Sequence, residues 1–270
     1  MPQKASSSGG PLTGRLVILG SGTSFGVPVI GCDCRVCVSG DPRDRRTRTA
    51  AVVELDGGPR LLIDTPPELR LQLVRAGIGT VDAVLFTHDH ADHVAGIDDL
   101  RAMSVRGGEV PVYGPPETIG ELTQRFGYIF DAGVTPPPGT SKPELRPRAV
   151  APYETMMIAG ATVLSLEADH GGTRVYGYRV GPMAYLTDAK EVPARTVAAL
   201  EGVEVLVVNA LFEKPHATHL SIPEAVAFAQ RIGARQTFLT HLTHRYLHTE
   251  LESRLPAGIA PACDGLVVAF

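Results

Sequence analysis

Four residues of the types that bind metal ions stand within six positions of the chain. They are His88, His90, Asp92 and His93. Residues two apart in extended backbone project to the same side, so the imidazoles of His88 and His90 can hold one cation together. Asp92 and His93 follow where the chain turns, and they can hold a second cation about 3.5–4 Å away, the spacing that two-metal hydrolytic sites use. The segment predicts a metal site rather than a solvated polar loop.

Cysteines form a second metal-binding pattern. Three of the four cysteines crowd together, at Cys32, Cys34 and Cys37. Four cysteines are too few for a disulfide scaffold in a chain of 270 residues, and in a reducing compartment such a cluster is typical of a metal site. Tetrahedral zinc needs a fourth ligand, for which His244 and Cys263 are the candidates. Buried or redox-active cysteines are the alternative interpretation.

Short apolar segments must position these residues. Residues 83–86 predict a buried strand that stops at the histidine-rich segment, and similar strands stop at three more polar residues. These are His170, Asp188 and His241. If the strands share sheets, their ends can converge on one mouth. Helices are predicted at residues 68–76, 97–106 and 116–126. We find neither a glycine-x-glycine dinucleotide fingerprint nor a lysine-bearing phosphate loop, which excludes the common nucleotide cofactors.

Two further features are open to more than one interpretation. The glycine-rich segment 20–28 is either a tight structural turn or a loop whose amides approach an anion. The arginines at positions 43, 45, 46 and 48 form a basic patch, which is either a solvated surface or a patch that steers an anionic ligand.

The six-residue pattern His88-x-His90-x-Asp92-His93 after a short strand resembles the metal-binding signature of the metallo-β-lactamase superfamily. This resemblance implies an α/β fold, an αββα sandwich of two β-sheets flanked by helices. We expect residues 13–270 to form a single metallo-hydrolase domain. Residues 1–12 are small and polar, and we expect them to form a flexible tail.

The resemblance also implies how the ligands are shared between two divalent cations. The first cation would be held by His88, His90 and His170, the second by Asp92, His93 and His241, and Asp188 would bridge them. A carboxylate suits the bridge because its two oxygens can each face one cation. Asp92 is also expected to take part in catalysis. The set contains no cysteine, so Mn²⁺ or Zn²⁺ is expected. Asp64 would support the metal loop from behind, the alternative being an Asx turn before Pro66.

Four elements together are similar to the phosphoribosyl cyclic phosphate phosphodiesterases of phosphonate breakdown. They are the loop 22–28, the cysteine cluster, the motif 216–221 and the pair His241 and His244. In that family a histidine at the spacing of His244 completes a structural zinc site, so we expect Cys32, Cys34, Cys37 and His244 to bind one Zn²⁺ that supports folding. The implied reaction opens a small cyclic phosphodiester, phosphoribosyl 1,2-cyclic phosphate or a similar compound, by attack of a metal-bound hydroxide.

His219 is the predicted proton donor to the leaving ribose oxygen, with His216 as the local competitor. Ser221 and Glu224 fit a capping box that opens a helix just after His219. We expect the amides and the positive dipole end of this helix to favour a bound phosphate, which in turn favours a protonated imidazole.

Two other functions share parts of this pattern. The tRNA 3′-processing endonucleases share the opening loop and the metal set but need a protruding basic arm, which we do not find. The pyrroloquinoline quinone biosynthesis protein, an oxygen-dependent enzyme, has a similar cysteine cluster but usually a less complete metal loop.

The amino-acid composition indicates which partners and which location to expect. A net charge of −4 and a pI near 6.1 make nucleic acid an unfavoured partner and a small-molecule phosphodiester the expected one. No apolar run is long enough for a membrane span and the amino terminus lacks a signal peptide, so we expect a cytoplasmic protein that does not bind membranes. A homodimer is left open.

Overall fold

The computed structural model describes residues 12–270, so the expected tail at residues 1–12 lies outside the described part, apart from Leu12. The strands are β1 (Gly14–Gly20), β2 (Ala50–Leu55), β3 (Arg60–Ile63), β4 (Ala83–Leu85), β5 (Val110–Gly114), β6 (Leu145–Ala149), β7 (Thr155–Ile158), β8 (Ala161–Asp169), β9 (Arg174–Val180), β10 (Met183–Leu186), β11 (Val205–Asn209), β12 (Gln236–Thr240), β13 (Ile259–Pro261) and β14 (Val267–Ala269). The helices are α1 (Leu69–Ala76), α2 (Ala91–Val94), α3 (Arg101–Gly107), α4 (Pro116–Arg125), α5 (Gly127–Phe130), α6 (Ala194–Ala199), α7 (Ile222–Ile232) and α8 (His248–Arg254). Short 3₁₀ turns lie at Pro42–Asp44 and Ile97–Leu100.

The strands form two mixed sheets. The first has the order β14-β1-β2-β3-β4-β5-β6, and the second has the order β13-β12-β11-β10-β9-β8-β7. In the first sheet β3 to β6 run parallel, and in the second β10 to β13 do. Carboxyl ends of parallel strands meet at one edge of a sheet, so residues that follow β3 and β4, or β10 and β12, lie side by side.

Alternate residues of one strand face different layers. Val53 of β2 packs in a cluster that it shares with Val207 of β11, and this cluster fills the space between the two sheets. Its neighbour Val52 packs on the other side of the first sheet with Leu73 of α1. The outer face of the second sheet packs in the same way against α7. The layers are therefore helix, sheet, sheet, helix, which confirms the predicted αββα sandwich.

The glycine-rich segment is a structural turn. The amide of Gly22 donates to the Thr47 carbonyl at 2.8 Å, and that of Val27 donates to the Arg46 carbonyl at 2.8 Å. A Cβ on Gly22 would lie 2.5 Å from the Arg46 oxygen, so this position needs glycine. These amides are engaged by the backbone and do not face an anion.

The interpretation of the arginine patch as a solvated surface is wrong for Arg46, which is 1% exposed. Its guanidinium lies 3.3 Å from the Asp44 carboxylate and donates to the carbonyls of Thr243 and Tyr246. The buried pair therefore fastens the segment that follows β12 to the segment that follows the cysteines.

The prediction of one helix over residues 97–106 is also corrected. A 3₁₀ turn precedes α3 here, and the two aspartate side chains of this turn form hydrogen bonds with other residues. The Asp98 carboxylate binds Arg101 at 2.7 Å, and the Asp99 carboxylate accepts from the Arg70 amide at 3.2 Å.

The helices formed by residues 12–270 include none with the length and apolar character of a membrane span.

Candidate metal centre

The structure brings all seven predicted ligands of the active-site cations together where strands of the two sheets end. His88 follows β4, His170 follows β8, Asp188 follows β10 and His241 follows β12. Within each of three groups, the potential ligand atoms lie within 4.8 Å of one another. The groups are His88, His90 and His170; Asp92, His93 and His241; and His88, His93 and Asp188. The third group joins the first two.

Three of the strand-end residues have a left-handed backbone. The φ angles are 62° at Asp64, 55° at Asp188 and 58° at His241. This conformation costs a residue other than glycine on the order of 1–3 kcal/mol and persists where the surrounding structure holds it. Here it occurs at the turns that immediately follow strands and bring side chains into the shared mouth.

One nitrogen of each of three rings is held by a neighbour. His93 Nδ1 donates to Asp64 Oδ2 at 2.8 Å, and His88 Nδ1 lies 2.9 Å from Thr87 Oγ1. The ring of His170 donates from Nδ1 to the Thr218 carbonyl at 2.7 Å. Partners of this kind fix the tautomer and leave Nε2 as the lone-pair nitrogen for a metal.

The remaining nitrogens fit cations. His88 Nε2, His93 Nε2 and both nitrogens of His241 are buried with no hydrogen-bond partner among residues 12–270. Burying polar atoms without partners is costly. Such atoms gathered around two carboxylates, Asp92 and Asp188, make a donor set that suits divalent cations.

Asp64 supports this arrangement from behind, fully buried. Its Oδ1 accepts from the Thr87 amide at 2.8 Å, and its Oδ2 accepts from Thr87 Oγ1 at 2.8 Å as well as from His93. It therefore orients His93 directly and His88 through Thr87. The carboxylate is engaged with these residues rather than in an Asx turn before Pro66.

The two carboxylates in the centre stay ionised. Burial opposes the charge on Asp188, but His241 and His93 hold its pKa well below the usual range. Burial likewise opposes the charge on Asp92, but the neighbouring rings of His241 and His93, whose Nε2 atoms lie 3.8 Å and 3.5 Å from its Oδ2, lower its pKa. For His88, burial lowers the pKa and keeps the ring neutral, as a metal ligand must be.

His219 lies against this centre. Its Nε2 is 3.1 Å from Asp188 Oδ2, and its Nδ1 is 2.8 Å from Thr218 Oγ1. Burial lowers its pKa, against the raising effect of the Asp188 carboxylate. Together with His170 and Asp188 it forms a further group with metal-ligand spacing. The geometry alone therefore allows a proton donor or a ligand here.

The predicted capping box is present, but the expected phosphate site at the start of α7 is wrong. The Ser221 amide donates to Glu224 Oε2 at 2.7 Å, and the Ile222 amide donates to the Phe212 carbonyl at 2.7 Å. Pro223 has no N–H to offer. The Glu224 carboxylate already occupies the positive end of the helix, so an anion has neither free donors nor a favourable charge there.

The cysteine cluster forms a separate group. His244 Nδ1 lies 3.4 Å from Cys32 Sγ, 3.6 Å from Cys34 Sγ and 3.4 Å from Cys37 Sγ. Ordinary Zn–S and Zn–N bonds at a tetrahedral angle place sulfur and nitrogen about 3.6 Å apart, so the four residues fit one zinc ion. Cys263 lies outside this group. A hydrogen bond from the Cys37 backbone is the main cause that lowers the pKa of Cys34, to about 6.

Sequence reasoning gave no role to Asn209, the last residue of β11. It is fully buried, and its Oδ1 accepts from the Ala189 amide at 2.7 Å while its Nδ2 donates to the Ala189 carbonyl at 3.1 Å. These bonds hold the residue that follows Asp188. The sequence does carry a signal for Asn209, because a polar residue at the end of an apolar strand is the same feature that predicts His241.

Comparison with known proteins agrees with this fold. Residues 59–242 match the family described as the beta-lactamase superfamily domain. The chain therefore belongs to the metallo-β-lactamase superfamily. A crystal structure of a diphosphatase from the PhnP family is 41% identical, with a TM-score of 0.88, covering 96% of this chain and 97% of that one. Within the superfamily, the chain belongs to the PhnP family.

Two other relatives are informative in different ways. The octanoyltransferase of Porphyromonas gingivalis is 41% identical over 254 residues, which are 93% of this chain and 51% of that protein. The chain thus spans about half the length of this curated relative. Zn²⁺-bound PqqB from Methylobacterium extorquens shares the fold, with 21% identity and a TM-score of 0.77 over 94% of this chain and 99% of that one. The family and the donor set support a hydrolase that uses divalent metals.

Proposed function

We propose that this protein is a metal-dependent phosphodiesterase that hydrolyses a small cyclic phosphodiester, such as phosphoribosyl 1,2-cyclic phosphate. The observation that carries the proposal is the pair of three-residue groups joined through Asp188, each with ligand atoms within 4.8 Å of one another. Two adjacent cations are the recurring solution for in-line displacement at phosphorus, because both the attacking and the leaving oxygen need charge stabilisation.

The proposed roles follow the geometry. His88, His90 and His170 would hold one cation, Asp92, His93 and His241 would hold the other, and Asp188 forms a group with one ligand of each set, His88 and His93. When bound, two divalent cations lower the pKa of water and neutralise charge on the phosphoryl oxygens. Zn²⁺ and Mn²⁺ both suit this set of nitrogen and oxygen ligands. The neighbouring rings of His241 and His93 lower the pKa of Asp92, which supports its role as a carboxylate ligand.

His219 is proposed to supply a proton to the leaving oxygen. Its Nε2 lies 3.1 Å from Asp188 Oδ2, and this contact with a proposed metal ligand supports a role at the reacting phosphate. The Thr218 hydroxyl, 2.8 Å from its Nδ1, fixes the ring. Burial has the largest effect on the pKa of His219 and lowers it, while the Asp188 carboxylate supplies the raising effect that we expected of the α7 helix end.

Hydrolysis of a diphosphate is a second candidate, because the 41% identical relative of known structure is a diphosphatase. Both reactions attack phosphorus, but the leaving group is an alkoxide in one and a phosphate in the other. We do not propose octanoyl transfer for this protein, because it matches only about half of the octanoyltransferase. The tRNA-processing alternative is less favoured because the net charge is −4. The quinone-biosynthesis alternative is less favoured because the PqqB structure is 21% identical, and a PQQ synthesis protein B that is 33% identical matches only 43% of this chain.

A substrate panel tests the proposal. Protein purified without added metal is analysed for Zn and Mn, then assayed against cyclic phosphodiesters, linear phosphodiesters, diphosphates and an octanoyl ester. We expect two active-site cations and one structural zinc per chain, with hydrolysis of cyclic diesters that strong chelators abolish. Protein without transition metal, or activity that is indifferent to chelators, contradicts the proposal, and a preference for diphosphates selects the second candidate.

A further inference from the structure

β11 carries none of the proposed metal ligands, although it lies between two strands that lead to ligands. It pairs in parallel with β10, which leads to Asp188, and with β12, which leads to His241. Its last residue, Asn209, has a fully buried side chain. The oxygen and the nitrogen of this side chain both form hydrogen bonds with Ala189, which directly follows Asp188. A buried amide is therefore fully used beside the proposed bridging ligand.

The backbone of Ala189 is held at both its polar groups. Its amide donates to Asn209 Oδ1 at 2.7 Å. Its carbonyl accepts from Asn209 Nδ2 at 3.1 Å and also from the Leu220 amide at 2.8 Å. A carbonyl oxygen has two lone pairs, so this group accepts as many hydrogen bonds as it can. Ala189 thus has a fixed orientation, and Asn209 supplies two of these three hydrogen bonds.

These hydrogen bonds join two segments whose side chains meet in the metal centre. Asp188 immediately precedes Ala189, and His219 immediately precedes Leu220. At the backbone, the segments are joined by the bond between Ala189 and Leu220. At the side chains, His219 Nε2 lies 3.1 Å from Asp188 Oδ2. The distance between the carboxylate and the imidazole therefore depends on where Ala189 is held.

The backbone at Asp188 needs this support. Its φ angle of 55° is left-handed, a conformation that is costly for a residue other than glycine and persists where the surrounding structure holds it. The Ala189 amide belongs to the peptide group that follows the Asp188 Cα, so the bond to Asn209 sets the direction of that group. Because the bond is buried, its loss leaves an amide without a partner in the protein interior, which is costly.

We propose that Asn209 is a positioning residue, which acts through Ala189 to align the Asp188 carboxylate with the His219 ring. The inference rests on the proposed function, because that function makes Asp188 a bridging ligand and His219 a proton donor. Without the Asn209 side chain, the peptide group after Asp188 is free to turn. The binding of both cations and the transfer of the proton should then weaken, whereas loss of a purely structural residue would change stability alone.

Asn209→Leu tests the assignment, because leucine has the same branched shape and makes neither hydrogen bond. We expect the affinity for both active-site cations, measured by competition with a chromophoric chelator, to fall about tenfold or more, as is typical when an outer partner of a metal ligand is lost. At saturating metal, kcat should fall more for a ribose cyclic phosphate than for bis-p-nitrophenyl phosphate, because only the first needs the proton from His219. Asn209→Asp keeps the acceptor for the Ala189 amide and should give smaller effects of the same kind.

Ser165→Ala is the matched control. Ser165 lies within β8 and is also fully buried, and its hydroxyl accepts from the Glu154 amide at 2.9 Å and donates to the Ala151 carbonyl at 2.8 Å. The variant thus loses the same two kinds of buried hydrogen bond. It should lower the melting temperature without changing the metal affinity.

Metal affinities of both Asn209 variants that stay within about twofold of the control would overturn the assignment. The aspartate variant decides alone if the leucine variant does not fold. Equal losses of kcat on the two substrates would overturn the alignment with His219. If the parent hydrolyses neither substrate, the proposed function fails, and the metal affinities still decide whether Asn209 positions Asp188.

Discussion

Asp64 Oδ2 lies 2.8 Å from His93 Nδ1, and both side chains are completely buried. The same oxygen accepts from Thr87 Oγ1, which is in contact with His88 Nδ1. His88 and His93 belong to different proposed cation sites. One carboxylate therefore orients a ligand of each cation, and the two sites should respond together when it is changed.

Asp64→Asn tests this coupling. Asparagine keeps the shape but replaces one acceptor oxygen with an NH₂ group. It therefore loses either the two hydrogen bonds that Oδ2 accepts from Thr87 and His93 or the one that Oδ1 accepts from the Thr87 amide. Loss of such an outer partner typically costs about 10–100-fold in metal affinity or activity. We expect a decrease of this size in the affinity of both cations, measured by competition with a chromophoric chelator, and a parallel fall in kcat/KM.

Asp264→Asn is the control for that experiment. The Asp264 side chain is also largely covered, with 4% exposed, and it accepts from Ser21 and Thr47, away from the proposed ligands. It should lower stability without lowering metal affinity. If the two variants bind metal equally well, Asp64 does not have the orienting role that its position indicates.

Cys34→Ser tests the separate cysteine site. Removing one thiolate from a closed four-ligand site should release one zinc ion per chain and remove the folding free energy that the ion supplies. We expect the melting temperature to fall by about 10 °C or more, the shift for a loss of several kcal/mol in a chain of this size. Cys263→Ser should keep its zinc and melt close to the parent. A Cys34 variant that melts like the parent with its zinc intact would refute the site.

The capping box of α7 predicts a pH-dependent stability. Burial opposes ionisation of Glu224, but the Ser221 amide and Lys190 lower its pKa to about 2. The folded pKa is below the unfolded value of about 4.3. The ionised side chain thus stabilises the fold above that value, and its contribution is lost as the pH falls from about 4.3 toward 2.

Glu224→Gln should accordingly be less stable than the parent at neutral pH, by about 1 kcal/mol after allowance for partial exposure. The difference should shrink between pH 5 and pH 3, as measured by urea unfolding at several pH values. Glu201→Gln, at an exposed position, should show no such difference at any pH. A gap for Glu224→Gln that stays constant with pH would show that the charge is not what stabilises the helix start.

Whether a feature could be predicted from the sequence depended on how far apart in the chain its interacting residues lie. His88, Asp188 and His241 were predictable because each ends an apolar run, and a strand carries its end residue to a known edge of the sheet. Arg46 was not, because its burial depends on Thr243 and Tyr246, about two hundred positions away. The phosphate site expected at α7 failed because a capping motif that predicts a helix start also uses up its amides and places a carboxylate there.

His219→Ala separates three roles that the geometry leaves possible. An alkoxide leaves poorly without a proton, and general acid catalysis is typically worth about 10²–10⁴-fold, whereas p-nitrophenolate needs little help. If His219 donates the proton, the variant should lose turnover of a ribose cyclic phosphate by that factor, largely keep hydrolysis of bis-p-nitrophenyl phosphate and retain its metals. His216→Ala, which changes the neighbouring ring 5.5 Å away, is the matched control and should have a small effect on both. Equal losses on the two substrates would assign His219 to substrate positioning. A loss of metal would make it a ligand alongside His170 and Asp188, with which it shares metal-ligand spacing.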